Sequence, residues 1–535
     1  MSTSSETTSG DDSPADEDSS EATSDTETRR TDDGDYTDRI LEGATFIFSG
    51  SMVGKVVGLA IQLALGRGFG KALYGLYTTG MTVLRLGQSV ATLGLQNGVI
   101  RFSAPAYERD NPAQVKGTFL AVGGLGLVSG TAIGAGLFVA SPWLAGNVFT
   151  IPAGMDPALV ERTIAVFGLG LPFYVLTYLA SRMARAVGTM QVDTLLDSIL
   201  QPALFLGMLG GVLLIGKNFT LALYAFLLST ILAAGTGIYA IYRLFPPLFS
   251  HLSPEVDVRA LLRFSLPIVG VTLATMGVTY TDRLMLAILE TPEAVGTYQP
   301  AAILALQLNF ILFAVTAAFS PIISDLYESG QFEDLSSLYA DTVRWIILLT
   351  LPAAIVLIVF APQIVSIWGA EYRDGASALR ILAAAQFVVA GVGSVGQMLQ
   401  MSDHQDYVFG VNASMAVLNV VLNWLLIQWY GVNGAALATG ITTALGDTAE
   451  VVGLYSFLSI HPFRWTLWKP FAAAGLATLL TAPLYTAVAG PAQWALGIPA
   501  LVLAYGAALY GLGLHPKDAS ILDGLWQQLV SPERE

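Results

Sequence analysis

Residues 345–361 read WIILLTLPAAIVLIVFA, a run without a single charged side chain. A helix needs about 20 such residues to cross the apolar core of a bilayer. Comparable runs recur along the whole chain of 535 residues, in which 54% of residues are hydrophobic and only 12% are charged. Soluble globular proteins carry about 25% charged residues. The sequence therefore predicts an integral membrane protein.

A search for apolar stretches of about 20 residues predicts 14 transmembrane helices. Their centres lie near Gly54, Arg85, Leu127, Leu171, Leu206, Leu228, Met276, Leu308, Ile355, Val389, Val417, Leu445, Thr478 and Ala504. The connecting loops are too short to fold as soluble domains. The predicted fold class is therefore an all-α integral membrane protein.

The N-terminal segment differs from the rest of the chain. Residues 1–38 hold 13 Asp and Glu against two Arg, and so account for most of the net charge of −15. Because this segment has almost no apolar residues to bury, we expect it to be disordered. It also lacks the basic start and apolar run of a signal peptide.

Six parts follow from the predicted helices. They are an acidic cytoplasmic tail at 1–39, an N-terminal six-helix bundle at 40–245, a cytoplasmic loop at 246–260, a C-terminal six-helix bundle at 261–460, helices 13 and 14 at 461–515, and a cytoplasmic tail at 516–535.

Weak internal repetition relates the two predicted bundles. Gly75 and Tyr77 recur as Gly296 and Tyr298, at one common offset along the chain. An even number of helices per repeat keeps both copies in the same orientation, so a pseudo-two-fold axis along the membrane normal is expected. Further matches occur in the same order: Ser103 with Ser324, Pro142 with Pro362, and 213–222 with 427–435.

The distribution of Lys and Arg predicts the orientation, because basic loops stay in the cytoplasm. With the N-terminus inside, the cytoplasmic segments hold 16 basic residues, and the opposite loops hold five: Arg67, Lys71, Lys217, Arg373 and Arg380. We therefore expect a multi-pass protein of the cell membrane with both termini in the cytoplasm.

Two cations are predicted at membrane depth in the first bundle. Lys55 lies at the centre of the first span and Arg85 at the centre of the second. Charges inside a bilayer normally face a cavity or a partner, and no acidic residue is expected within spans one to six. The pair therefore suits a phosphate or pyrophosphate. Polar neighbours at helical spacing predict the cavity lining, namely Gln62, Gln88 and Gln96.

The second bundle carries polar side chains of another kind. Gln397, Asn419 and Asn423 could line a cavity and bind sugar hydroxyls, since amides both donate and accept. They could equally form hydrogen bonds between helices. Candidates for coupling to a proton or sodium ion are Asp282, Asp447 and Glu450, although Arg283 follows Asp282 and could simply neutralise it.

Several classes of enzyme find no support. The chain has no Cys and only four His, and it lacks a Walker motif, a nucleophile elbow and a metal-binding His-Glu helix. We therefore expect a transporter rather than an enzyme, with no cofactor, no nucleotide and no nucleic-acid partner.

The segment from Asp282 and Arg283 to Val295, Gly296 and Tyr298 resembles a signature of polysaccharide and oligosaccharide flippases. In those proteins an acid and a base near the end of span seven precede a Val-Gly-x-Tyr turn. Over roughly residues 40–515 the chain is similar to the multidrug/oligosaccharidyl-lipid/polysaccharide (MOP) exporter superfamily, in its Wzx-type branch.

The resemblance implies that Lys55 and Arg85 dock the phosphate of a lipid carrier. The chain departs from the lipid II flippase pattern, since span eight has no evident cavity cation.

The expected function is that of a flippase. It would move a lipid-linked oligosaccharide, on polyprenyl phosphate or pyrophosphate, from the cytoplasmic to the external leaflet by alternating access. Its expected partners are this substrate, the membrane lipids and glycosyltransferases of the same pathway. Two alternatives stay open, namely a multidrug/cation antiporter of the same superfamily and a membrane-embedded sugar polymerase or ligase.

Overall fold

A computed structural model describes residues 21–152, 154–487 and 491–513, and this part of the chain is helical with short turns. The helices are α1 (Glu21–Ala91), α2 (Leu95–Glu108), α3 (Pro112–Asn147), α4 (Pro157–Ala186), α5 (Met190–Thr194), α6 (Gln201–Ile215), α7 (Phe219–Leu244), α8 (Val258–Leu289), α9 (Pro292–Leu306), α10 (Phe310–Glu328), α11 (Phe332–Val359), α12 (Ala361–Val365), α13 (Ala376–Val392), α14 (Val395–Met401), α15 (Gln405–Leu458), α16 (Trp468–Ala487) and α17 (Pro491–Gly511).

Two of these helices are too long to cross a bilayer once. The apolar part of α1, Ser49–Ala91, has 43 residues, and α15 has 54. At 1.5 Å per residue they measure about 65 and 80 Å, against an apolar core of roughly 30 Å. Each is interrupted by a glycine with non-helical torsions, Gly70 (φ 76°) in α1 and Gly431 (φ 53°) in α15. A left-handed φ is accessible to glycine at little cost, and each kink divides its helix into two segments of membrane-spanning length.

The predicted spans agree with the helices. Within the described residues, 11 helical stretches are long and apolar enough to cross a membrane, and two of them are the kinked helices α1 and α15. Thirteen of the predicted centres lie inside α-helices, while Leu308 lies in a short 3₁₀ turn between α9 and α10. The membrane-embedded, all-helical fold is confirmed. The arrangement of 14 spans stays a prediction.

The buried apolar side chains separate into a first and a second half of the molecule. The largest cluster runs from Ile61 to Leu261, and only Trp368 and Tyr372 join it from farther along the chain. Two smaller clusters, around Leu286 and Ile323, are built from residues beyond 285. Helices α16 and α17 pack against each other and against α11.

The two halves meet through reciprocal contacts at the α1 kink. A Cβ added at Gly75 would lie 1.6 Å from the Pro292 carbonyl oxygen, and one added at Gly296 would lie 1.9 Å from the Lys71 carbonyl oxygen. Both pairs, Lys71 with Pro292 and Gly75 with Gly296, are separated along the chain by the offset of the sequence repeat. Reciprocal contacts of this kind are what a two-fold axis produces.

The predicted tails differ in part from the structure. Helix α1 begins at Glu21, so residues 21–39 continue the first helix instead of forming an unstructured segment. A helical hydrogen-bond ladder, once nucleated by the apolar span, extends through neighbouring residues at little cost. Residues 1–20 and the predicted tail at 516–535 lie outside the described residues.

Candidate functional site

A cavity of about 800 Å³ lies between the two halves, bounded by α1, α2, α4, the α5–α6 segment, α8 and α9. Many polar side chains line its wall. The charged and aromatic polar side chains that line it are Lys55, Tyr77, Arg85, Tyr174, Tyr178, Arg182, Asp197, Tyr280 and Arg283, and its amides are Gln62, Gln88, Gln96, Gln201 and Gln299. All five first-bundle residues predicted from the sequence to face a cavity are among them.

Lys55 and Arg85 lie on the two segments of α1 and both line the cavity. They are equally far along the chain from the kink at Gly70, which corresponds to about 22 Å of helix on either side. The Lys55 ammonium lies 5.0 Å from the centre of the Phe310 ring, at the start of α10. Neither cation has a carboxylate within 4.0 Å among the described residues, in contrast to Arg182 and Arg283. These two positive charges are therefore available to a ligand.

Tyrosine hydroxyls surround Arg85. The phenol groups of Tyr77, Tyr174 and Tyr280 interact with its guanidinium, and all three line the cavity. The Asp197 carboxylate, also in the cavity wall, interacts with it electrostatically beyond ion-pair distance. Hydroxyls can satisfy guanidinium hydrogens without cancelling the charge. The three hydroxyls therefore hold the Arg85 side chain in place without removing its positive charge.

A third cation, Arg283, lies nearer the kink end of the cavity. It is 6% exposed, and its Nε donates to Gln299 Oε1 at 2.7 Å while Nη1 donates to the Thr279 carbonyl at 2.6 Å. Asp282 does not line the cavity. It accepts a hydrogen bond from Tyr298 Oη at 2.6 Å, and its Oδ1 lies 3.5 Å from the Arg283 guanidinium. Arg283 and Tyr298 thus both contact the Asp282 carboxylate, and its part in ion coupling stays a prediction.

Asp197 is an acidic residue in the cavity wall, and the expectation that spans one to six contain none is wrong. It lies in a π-helical turn, Leu195–Leu200, between α5 and α6. The membrane-spanning stretch Met190–Ile215 begins before the apolar window centred on Leu206, so the sequence pattern placed Asp197 at its boundary. Arg182 of α4 donates to its Oδ2 at 2.5 Å. The cavity is therefore not cationic throughout, because its wall at the π-helical turn carries the Asp197 carboxylate.

The second-half amides predicted from the sequence, Gln397, Asn419 and Asn423, do not line the cavity. Asn419 and Asn423 are fully buried, and Asn419 Nδ2 donates to Thr442 Oγ1 at 3.0 Å across the two segments of α15. Asn423 Nδ2 donates to Asn419 Oδ1 at 3.0 Å. Gln397, on α14, does not line the cavity either. Of the two readings left open, hydrogen bonding between helices applies to the asparagines.

Asp447 and Glu450 are also remote from the cavity. Both belong to α15, and Glu450 is 7% exposed with its carboxylate against Gly396 on α14. Their part in ion coupling stays a prediction. Among the described residues no group of three or more His, Asp or Glu is arranged to hold a metal ion.

The cavity is closed at the kink end by contacts between the halves. Lys71 Nζ lies 3.0 Å from both Glu293 Oε1 and Asp374 Oδ2. Arg67 Nε donates to the Ile367 carbonyl at 2.6 Å. Beneath them Tyr74 is fully buried, with its hydroxyl donating to Gln62 Oε1 at 2.6 Å. Together with the glycine contacts at Gly75 and Gly296, these contacts form the kink-end closure.

Two family models match the chain. A family model described as "Polysaccharide biosynthesis protein" matches residues 40–327, more than half of the chain. The chain belongs to the polysaccharide biosynthesis protein family. A second model, MatE, matches residues 267–425. Together the two matches confirm the resemblance to the MOP superfamily and its Wzx-type branch.

Two curated relatives come from Haloferax volcanii. The first, "Probable low-salt glycan biosynthesis flippase Agl15", is 27% identical over 34% of this chain and 39% of its own length. The second, "Probable flippase AglR", is 23% identical over 45% of this chain and 52% of its own length. The chain thus spans about half, or less, of the curated relatives it matches.

Solved structures share the fold. An inward-facing multidrug resistance MATE family transporter of the MOP superfamily aligns with a TM-score of 0.63 at 17% identity, over 78% of this chain and 98% of the other. The lipid II flippase MurJ, in an inward closed conformation, aligns with a TM-score of 0.65 at 12% identity, over 88% and 98%. At this identity the likeness concerns the fold alone.

Proposed function

We propose that the protein is a flippase that moves a lipid-linked oligosaccharide from the cytoplasmic to the external leaflet. The observation that carries this proposal is the pair Lys55 and Arg85, two cations in a cavity between the halves, with no carboxylate within 4.0 Å of either among the described residues. An unpaired charge at membrane depth is costly and marks a substrate path. The phosphate of a polyprenyl carrier would satisfy both.

The chemistry of the two cations suits a phosphate ester. Arg85 offers a planar fork of donors and Lys55 a compact point charge, and both form strong charge-assisted hydrogen bonds with phosphate oxygens. The cavity, at about 800 Å³, is within the range of ligand sites in proteins. The polyprenyl chain would stay in the lipid while the head group enters.

Alternating access would follow from rocking of the two halves. The kink-end closure joins them on one side of the cavity, and the Lys and Arg distribution predicts that side to be external. In that orientation both termini are cytoplasmic and the described state receives substrate from the inside. A bound head group would shift the equilibrium by its differential affinity for the two states.

The names of the curated relatives support a transporter of glycan precursors rather than an enzyme. Glycosyltransferases of the same pathway are the proposed partners, because they build the glycan on the lipid before it is moved. The proposed location is the plasma membrane.

A multidrug/cation antiporter is the second candidate, favoured by the MatE match over residues 267–425. Its substrates are cations, which the unpaired charges of Lys55 and Arg85 would repel. Resistance of an expressing strain to cationic drugs would support the antiporter, and unchanged resistance would disfavour it.

Deletion of the gene in its own host, followed by analysis of lipid-linked glycans, tests the proposed function. The flippase predicts that a complete lipid-linked glycan accumulates on the cytoplasmic face and that the surface glycan is lost. Normal surface glycosylation without accumulation would contradict it. A shortened or unattached glycan would instead support a polymerase or ligase.

A further inference from the structure

The wall of the cavity near Lys55 contains a feature that phosphate binding does not use. The π-helical turn Leu195–Leu200 interrupts the run from α5 to α6, and π-turns inside α-helices occur frequently at functional sites. This turn brings Asp197 into the cavity wall, where its side chain is 35% exposed. Helix α1 packs directly on the same turn, because a Cβ at Gly54 would lie 2.6 Å from the Ser198 carbonyl oxygen. Asp197 therefore lies on the element beside Lys55.

Within the ion-pair cluster of Asp197 the charges balance, and Arg85 also interacts electrostatically with the Asp197 carboxylate. Arg182 contacts both Asp197, at 2.5 Å, and Asp193, at 3.3 Å, and Arg185 Nε donates to Asp193 at 2.6 Å. Two arginines thus face two aspartates, and Asp193 is 1% exposed. A phosphate gains little at a neutral cluster and is repelled by the accessible Asp197 carboxylate. This end of the cavity suits an uncharged polar group.

The donors and acceptors here match a sugar ring. The Asp197 carboxylate accepts hydrogen bonds, and the Arg182 guanidinium donates them, so together they can bind the paired hydroxyls of a sugar. The Arg182 guanidinium carbon lies 4.8 Å from the centre of the Tyr178 ring, which also lines the cavity. An aromatic face with its negative quadrupole packs well against the C–H groups of a ring.

Gln96 on α2 adds an independent observation. It lines the cavity, is 9% exposed, and its Oε1 is buried without a hydrogen-bond partner in the described structure. Buried polar atoms are nearly always paired. Rotation of the amide about χ3 would present this oxygen to a hydroxyl in the cavity.

We infer that Asp197, Arg182, Tyr178 and Gln96 form a sugar subsite that holds the glycan of the substrate, while Lys55 and Arg85 hold its phosphate. The inference rests on the proposed function and specifies it. In a glycosyl phosphate the first sugar is bonded directly to the phosphate, so a sugar subsite must adjoin the phosphate site. The close packing of Gly54 on Ser198 provides that adjacency. Asn419 and Asn423, buried in the second half, are not needed for it.

The test compares two kinds of ligand on the purified full-length protein. Competition binding measures the affinity for polyprenyl phosphate without sugar and for glucosyl, mannosyl and galactosyl phosphoryl polyprenol. We expect the wild type to bind at least one glycosylated lipid about tenfold more tightly than the bare phosphate, since one charged hydrogen bond contributes about that factor. Asp197→Asn and Gln96→Leu should abolish this preference. Since Asp197→Asn removes a negative charge from the cavity wall, it should bind polyprenyl phosphate at least as tightly as the wild type.

Matched controls lie outside the cavity. Asp341→Asn alters another arginine–carboxylate cluster, in which Arg344 lies 3.6 Å from Asp341. Gln363→Leu removes another buried amide oxygen without a hydrogen-bond partner. Both should retain the preference for glycosylated lipid.

Two failures can be told apart. If the wild type binds polyprenyl phosphate but shows no preference for any glycosylated form, or if Asp197→Asn and Gln96→Leu retain the preference, the sugar subsite is refuted and the flippase proposal stands. If the double variant Lys55→Gln, Arg85→Gln binds all four lipids as tightly as the wild type, the phosphate site is refuted. A wild type that binds none of the lipids refutes both.

Discussion

Gly75→Ala should open the external side of the cavity. Gly75 is buried where α1 meets α9, and an added Cβ would lie 1.6 Å from the Pro292 carbonyl oxygen. Real Cβ atoms essentially never approach closer than 3.0 Å, so the two backbones must move apart before the methyl group fits. The obstacle is backbone, which cannot rotate away as a side chain could. The kink-end closure therefore loses its tightest contact.

The magnitude follows from the usual cost of overpacking. An extra methyl group in a well-packed contact destabilises it by about 1–3 kcal/mol, which corresponds to a shift of roughly 5- to 150-fold in the equilibrium between closed and open states. Only the closed state is destabilised, because Gly75 and Gly296 meet the Pro292 and Lys71 carbonyl groups only when the two halves touch. Gly296→Ala, whose Cβ would lie 1.9 Å from the Lys71 carbonyl oxygen, should act in the same direction.

The chain has no Cys, so one introduced thiol can report access without other substitutions. Thr78 is 5% exposed and lines the cavity near the kink. In whole cells, a Thr78→Cys protein should react slowly with a membrane-impermeant maleimide, and adding Gly75→Ala should accelerate the reaction at least about fivefold. Gly211→Ala is the control, because no atom lies within 4 Å of its Cβ. An unchanged rate in both Gly75→Ala and Gly296→Ala would refute the reasoning.

Three further changes have outcomes that differ in size. Lys71→Gln removes two ion pairs with exposed carboxylates, each contributing about 0.2–1 kcal/mol. Labelling of the Thr78→Cys thiol should therefore rise less than it does with Gly75→Ala. An equal or larger rise would contradict this. Tyr298→Phe leaves buried Asp282 without its 2.6 Å hydrogen bond and should cost about 1.5–3 kcal/mol, measured as a lower Tm in detergent. Phe226→Ala empties a fully buried site among aromatic rings and should cost about 3–5 kcal/mol, so its Tm should fall further than that of Tyr298→Phe; the reverse order would contradict the packing argument.

Much of the fold could be predicted because a bilayer imposes a simple length and composition on each span. The repeat at Gly75 and Gly296 was visible in the sequence because neither position has room for a Cβ atom at the contact between the halves. The start of α1 could not be predicted, since an acidic segment reads as disorder on composition alone.

The site was predictable where a charge interrupts an apolar run. Lys55 and Arg85 are conspicuous because no other base occupies the middle of those spans. Arg283 was missed as a cavity residue because it follows an acid near the end of α8, a position typical of a neutralised pair.

Asp197 and Arg182 were missed for a different reason. Both lie near the predicted ends of spans, where charges are common, and only the π-helical turn brings Asp197 into the cavity wall. Such a turn has no clear signal in a single sequence. Conversely, Asn419 and Asn423 share a helical face as cavity residues would, yet that face meets another helix segment. Periodicity identifies a face but not what it packs against.

The most direct test of the central claim is translocation by purified protein in liposomes. A fluorescent glycosylated polyprenyl phosphate is placed in both leaflets, and a membrane-impermeant quencher reports its movement between them. We predict rapid movement with wild-type protein and with Lys217→Gln, whose base lies outside the cavity. Movement should fall to the protein-free rate with the folded double variant Lys55→Gln, Arg85→Gln. Equal rates for the wild type and the double variant would contradict the claim that these two cations carry the phosphate.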